Sequence, residues 1–160
     1  MIIDNSQIKA SSLQLRRYFV TQLNILANSV FDVAKGVVQN QADLRVAGEM
    51  SPTDDPATFQ IKLNIQIQPG AESNLPYSIV IEIVGIFKSG FTGTKEDIER
   101  VVSINGCSML YGTAREIVRA TTAVGAYSHI LLPSIVFWDP GKPEAPTIAS
   151  LAKVRPPTSD

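Results

Sequence analysis

The stretch NGCSMLYGTAREIVRATTAVGAYSHILLPSIVFW, residues 105–138, decides how this chain is read. From Cys107 to Val124 the apolar residues recur at helical spacing: Leu110, Ala114, Ile117 with Val118, then Thr121 and Val124. Steps of three and four mark one buried face of a helix. Small residues (Gly112, Ala114, Ala120, Ala123, Gly125) are mixed into it and let another backbone come close. Gly125 reads as a helix stop. After it comes Ile130-Leu131-Leu132-Pro133-Ser134-Ile135-Val136-Phe137-Trp138, too apolar for a solvated loop. Pro133 forbids this run as a helix interior. A helix that wants a partner is thus followed by an extended apolar segment that also wants one, inside the chain or outside it.

Working outward, the 160 residues fit one domain, long enough to bury ~70% of the extended chain's surface. Charged residues make up 18%, below the ~25% usual for globular domains, and mean hydropathy is positive. Part of the surface is therefore expected to be covered, most simply by another subunit. The net charge of −1, with both signs scattered, argues against a nucleic-acid or anionic-membrane footprint. Cys107 is the single cysteine, so no intrachain disulfide forms and nothing points to an oxidising compartment. No apolar run approaches the ~20 residues that span a bilayer. The start, MIIDNSQIKASS, lacks a basic region followed by a long apolar core, so no signal peptide is expected and cytoplasm is the default location.

In chain order, residues 1–12 read as a polar lead-in. From Leu13 the odd positions Leu13, Leu15, Phe19, Leu23 and Ile25 are apolar and the even ones mostly polar, with Arg17 a blemish. This is the periodicity of a long strand. Residues 27–43 carry Val30, Phe31, Val33, Val37 and Val38 without clean alternation and read as an irregular loop or a bulged strand end. A second strand spans about Leu44–Met50. Phe59–Gln68 alternates without exception, as expected of an antiparallel strand covered on one side. Tyr77–Phe87 is apolar on both faces except for Glu82, the pattern of a strand covered on both. Four strands with short connections predict an antiparallel meander followed by helices, an α+β chain. Thr94 reads as an N-cap with Asp97 three residues on, opening a short helix to about Ile104 that Asn105-Gly106 breaks. The segment 139–160 is proline-rich and reads as a tail, in which only Thr147–Val154 has room for two helical turns.

No active site is legible. His129 is the only histidine, and a histidine in an apolar hinge is more often packed than catalytic. One Cys and one His cannot close a zinc site. The glycines form neither a dinucleotide fingerprint nor a phosphate loop. Arg115, Glu116 and Arg119 read as a wet helix face suited to interface ion pairs. The chain is not expected to be an enzyme, and no metal or cofactor is expected.

The helix core Leu110-Tyr111 with Ala114-Arg115-Glu116-Ile117, then Gly125, then Leu132-Pro133 with Ile135 and Phe137, resembles the signature of the SecB family of protein-export chaperones. Glu82-Ile83-Val84-Gly85-Ile86-Phe87 resembles that family's fourth strand, which ends in Gly-x-Phe. The resemblance covers roughly residues 13–138 and implies a SecB-like fold. It also implies an ATP-independent holdase, a homotetramer built as a dimer of dimers, that binds unfolded client polypeptides in apolar grooves. The client groove is placed at Leu131, Leu132, Ile135, Phe137 and Trp138, with Phe91 contributing. The subunit interface is placed on Leu110, Ala114, Ile117, Val118 and Thr121. Two features depart from the family. Residues 20–30 contain no acid, whereas the family docks the motor ATPase SecA through acidic residues on the outer sheet face. The helix that follows the Pro-x-x-x-Phe segment is replaced by Asp139-Pro140-Gly141-Lys142-Pro143. A SecB-like chaperone for a dedicated client such as an antitoxin fits these departures at least as well as an export factor. The competing class is an assembly protein that holds one fixed partner.

Overall fold

The computed structural model describes residues 11–138. The lead-in through residue 10, the proline-rich segment 139–160 and its helix candidate Thr147–Val154 lie outside the described residues. Four strands, β1 (Leu13–Ala27), β2 (Leu44–Pro52), β3 (Thr58–Ile67) and β4 (Tyr77–Ser89), precede one helix, α1 (Lys95–Thr122). All neighbouring strands pair antiparallel. The α+β class with a four-stranded antiparallel sheet is as the patterns predict.

The simple meander is not. The strand order is β1-β4-β3-β2, so only β2, β3 and β4 follow one another as hairpins. β1 lies beyond β4, and residues 28–43 cross from one edge of the sheet to the other. The reason lies in β4, whose two-sided apolarity makes it a central strand with a neighbour at each edge. The crossover contains two single 3₁₀ turns, Val33–Lys35 and Gln41–Asp43, and is a loop rather than an extension of β1.

Helix α1 covers one face of the sheet. Phe59, Ile61, Leu63, Ile65 and Ile67 of β3 and Ile79, Ile81, Ile83 and Phe87 of β4 are buried under it. The clean alternation of β3 is therefore one face under the helix and one in water. On β1 the alternation misleads. Register shifts fall between Leu15 and Arg17 and between Val20 and Gln22. Each inserts one residue and reverses which side the next residues face. Leu15 opposes Phe87 and Tyr18 opposes Gly85, on the helix side. Arg17 opposes Ile86 and Phe19 opposes Val84, on the outer side. After the second shift Leu23 and Ile25 return to the helix side opposite Ile81 and Ile79. Arg17 is no blemish: the first bulge turns it, and Phe19 with it, outward.

The expected break at Asn105-Gly106 does not occur, and α1 is one continuous helix of 28 residues. Its start is as read, with the Asp97 amide donating to Thr94 Oγ1 at 3.2 Å. Gly106 is buried at the point where the helix crosses the sheet. A Cβ built there would stand 2.2 Å from Ile61 Cδ1 and 3.4 Å from the Phe87 ring. Glycine lets two backbones approach here, which outweighs its ~1 kcal/mol propensity cost. The buried helix face runs Val102, Gly106, Cys107, Leu110, Tyr111, Ala114, Val118 and Thr122.

A furrow between the crossover and the extended segment

Beyond α1 the chain turns back along the helix. The Ile130 amide donates to Thr122 Oγ1 at 3.1 Å, Arg115 Nε to the Leu132 carbonyl at 3.0 Å, and the Tyr111 hydroxyl to the Pro133 carbonyl at 2.7 Å. The Phe137 ring meets Tyr111 edge-on with centroids 6.0 Å apart. Pro133 makes this segment unable to join a helix or a full ladder, so its carbonyls need side-chain donors. Tyr111 and Arg115 supply them. Arg115 is thus a brace for its own chain, not half of an interface ion pair. Glu116 and Arg119 form an ion pair, bidentate and within the helix itself. That contact raises the Arg119 guanidinium, through the hydrogen bond to Glu116 first and its charge second.

The crossover is held just as firmly, by polar groups at its two ends and middle. Asn28 Nδ2 donates to the Leu75 carbonyl at 2.8 Å. Asn74 accepts from the Asp32 amide at 2.9 Å and donates to the carbonyls of Asp32 and Gly36. Asp43, buried, accepts from the Ser73 hydroxyl at 2.6 Å and from the amides of Asn40 at 2.8 Å and Gly70 at 2.9 Å. Burial alone would raise its carboxyl, but the Ser73 hydroxyl and the Asn40 and Gly70 amides outweigh that and hold it below the ordinary value. Tyr127 ties crossover to segment, its hydroxyl donating to the Asn28 carbonyl at 3.0 Å and its ring packing against Phe31.

With its backbone fixed, the crossover leaves Val30, Val33, Val37 and Val38 exposed. Between it and residues 126–135 lies a furrow of three adjoining cavities. One of about 450 Å³ is lined by Phe31, Val33, Val37, Pro76, Tyr127 and His129 among others. One of about 210 Å³ shares Val37, His129 and Ile130 with it and adds Leu75 and Leu131. One of about 370 Å³ continues past Gln39 to Leu44, Pro133 and Ile135. The furrow therefore ends where the free edge of β2 begins.

Of the residues expected to form the client groove, Leu131 and Ile135 line this furrow. Leu132 is fully buried beneath it. Phe137 is half-buried against Tyr111, and Trp138 is exposed. Phe91 lies past Ser89, at the other end of β4 from Leu75 and Pro76, and is not part of the furrow. The crossover wall was missed by pattern reading. Its signal was a cluster of valines with no period, set among Asn and Asp residues that anchor the backbone.

The expected subunit face needs a correction too. Leu110, Ala114 and Val118 are fully buried against their own sheet, so they have no surface for a neighbour. Thr121 is exposed and Ile117 is half-buried. Ile117 instead lines a cleft of about 550 Å³ with Leu15 and Tyr18 of β1 and Met109, Gly112, Thr113 and Glu116 of α1. His129 lines the furrow, and among the described residues no group of three or more His, Cys, Asp or Glu is placed to hold a metal. Burial raises the Cys107 thiol, which disfavours the nucleophilic thiolate. Among the described residues no helix is long and apolar enough to cross a membrane.

A four-stranded antiparallel sheet backed by one long helix, with an extended segment braced along it, defines the SecB class of fold. The SecB family model, described as preprotein translocase subunit SecB, matches residues 6–139. The chain belongs to the SecB family, whose members are chaperones and not enzymes. Among solved structures it is similar to the Mycobacterium tuberculosis Rv1957 SecB-like chaperone, solved in complex with a ChAD peptide from the Rv1956 HigA1 antitoxin. Identity is 16%, coverage 77% of this chain and 90% of that one, and the TM-score is 0.56. A protein of unknown function from Streptococcus agalactiae is matched with 14% identity over 79% of this chain and 100% of that one, with a TM-score of 0.45. No curated protein sequence matches.

Proposed function

We propose that this protein is an ATP-independent holdase that binds extended, non-native polypeptide segments in the furrow between residues 28–43 and 126–135. The observation that carries this reading is a hydrogen-bonded backbone presenting exposed apolar side chains: Val33, Val37 and Leu131 are exposed on segments whose main chains are tied by side-chain hydrogen bonds. A site for varied clients has to rely on burial, ~25 cal/mol per Å² of apolar area. Its wall must already be ordered, or ordering it would consume the gain. The Mycobacterium tuberculosis relative bound to an antitoxin peptide supports a polypeptide client. Residues 20–30 carry no acid for a SecA-type contact, so export through SecA forms no part of the reading. We further propose that copies assemble through the cleft at Tyr18, Met109 and Ile117, next to the unpaired edge of β1, as a homotetramer in the cytoplasm.

The test is refolding of an unrelated denatured protein without nucleotide, with and without an equimolar amount of the assembled chain. Delayed folding or suppressed aggregation is expected. No effect at several-fold excess of folded, oligomeric protein refutes the holdase and leaves the assembly protein with one fixed partner.

A further inference from the structure

The polar groups that line the furrow are all uncharged at neutral pH or nearly so. They are Gln39, Asn40, Gln41, Ser128 and Ser134, with His129 and the Tyr127 hydroxyl, set among apolar side chains. Among the described residues, no Asp, Glu, Lys or Arg lines any of the three cavities, although such residues make up 18% of the chain. The wall 126–135 contains none in its sequence. The crossover contains three, Asp32, Lys35 and Asp43, and each is engaged elsewhere. Asp32 accepts from the Ala34 amide at 3.0 Å and pairs with Lys35 at 3.8 Å. Asp43 is buried among its three donors. Next to the furrow's far end, Arg45 follows Leu44 on β2, and the pleat sends it to the opposite side of the sheet, across from Gln66. Arg115, under the wall, is held by the Leu132 carbonyl.

An ionised side chain pressed into this furrow would leave water and meet no opposite charge, which costs more than a few apolar contacts contribute. The penalty has the same sign for a carboxylate and for an ammonium. A neutral extended segment brings only its own amides and carbonyls, which need partners when covered. Gln39 and Gln41, exposed at the β2 end, carry both donors and acceptors for them. Val33, Val37 and Leu131 take the apolar side chains. The wall from Ile130 to Ile135 is about 20 Å of extended chain at ~3.3 Å per residue, which sets the length of stretch that can be covered.

We propose that the furrow selects client stretches of about six residues that contain no Asp, Glu, Lys or Arg, and rejects charge of either sign. This specificity rests on the client reading given above. The probes are fluorescent peptides that alternate Leu and Gln between Gly-Ser ends, with the central leucine kept or replaced by Gln, Glu or Lys. They are titrated with the full chain at pH 8, where histidine is uncharged. The Glu and Lys peptides are each expected to bind at least tenfold more weakly than the Gln peptide, although Glu and Gln have the same shape. The Kd of the Leu peptide should stay within twofold between low and high salt, since no ion pair is there to be screened. Gln39→Glu, on an exposed position shared by two of the cavities, should tighten the Lys peptide at least fivefold and weaken the Glu peptide further. Circular dichroism checks that the variant is folded. Binding of the Glu or Lys peptide as tight as the Gln peptide, or a Lys peptide indifferent to Gln39→Glu, overturns the charge exclusion and leaves the furrow as the client site. Failure of the Leu peptide to bind, or binding that Val37→Ser with Leu131→Ser leaves untouched, refutes the furrow itself and this specificity with it.

Discussion

Removing the apolar walls of the furrow should weaken client binding by an amount the structure sets. Val37 is 58% exposed and Leu131 is 55% exposed, and they meet in one cavity. Full burial of such a side chain is worth roughly 1.5–3 kcal/mol. A client that covers the exposed half gains about 1 kcal/mol from each. Val37→Ser with Leu131→Ser removes that gain and puts two hydroxyls in its place, a loss of about 2 kcal/mol. At ~1.4 kcal/mol per decade this is roughly a thirtyfold rise in Kd. Because the exposed halves make no intramolecular contact, the fold should hold. The assay is anisotropy of a fluorescent, permanently unfolded polypeptide titrated with the chain. Val124→Ser, on a residue 88% exposed just past α1, is the control and should change nothing. An unchanged Kd in the double variant, or the same loss in Val124→Ser, would refute the assignment of clients to this furrow.

Two glycines of one helix should respond with opposite sign. Gly112→Ala meets nothing within 4 Å and should raise the stability of the single chain by about 1 kcal/mol in urea unfolding. Gly106→Ala gains the same propensity but forces Ile61 aside, at a cost of ~1–3 kcal/mol, and should come out neutral to destabilising. Tyr111→Phe with Arg115→Met takes the donors from the Pro133 and Leu132 carbonyls. At about 1 kcal/mol per hydrogen bond, amide exchange over residues 130–138 should speed up roughly thirtyfold while the sheet stays protected. The depressed Asp43 carboxyl stabilises the crossover fully above its unfolded pKa of ~3.9. That contribution fades as pH falls through the lower folded value. Amides of the crossover should therefore lose protection at that acid edge, and in Asp43→Ala should show no such step. Met109→Glu, on the β1–α1 cleft, should lower the mass in light scattering from assembly to smaller species; an unchanged mass removes that cleft from the interface.

The parts of the fold that can be read from sequence are those where one force decides. β3 alternates because one face meets the helix and the other water. β4 is apolar on both sides because it is central and its outer face is part apolar. The N-cap at Thr94 is local and was legible for that reason. β1 was assigned one face because alternation assumes an uninterrupted pleat, and two inserted residues at Arg16 and Thr21 reverse it twice. Asn105-Gly106 looked like a break because propensity is a local quantity, whereas the close approach of Ile61 that requires glycine is a tertiary one. The strand order was hidden since no pattern in β1 names its partner. One wall of the furrow was visible in Leu131-Leu132-Pro133 and Ile135. The other was not, because the crossover's shape comes from Asn28 and Asp43 reaching Leu75, Ser73 and Gly70, and from Asn74 reaching back to Asp32 and Gly36, contacts that no periodicity reports.

The strand order also fixes when the fold can close. Leu13 pairs with Ser89 and Ala27 with Tyr77, so β1 leaves the ribosome long before β4, its neighbour in the sheet, exists. The hairpins of β2, β3 and β4 join sequential segments and can form as they emerge. β1 has to wait, as a 15-residue stretch with Tyr18, Phe19, Val20 and Leu23 uncovered, until β4 arrives. Non-local pairing of this kind is slow to form. During its own synthesis this chain therefore passes through a state in which an extended apolar segment is exposed and the strand it pairs with is not yet made.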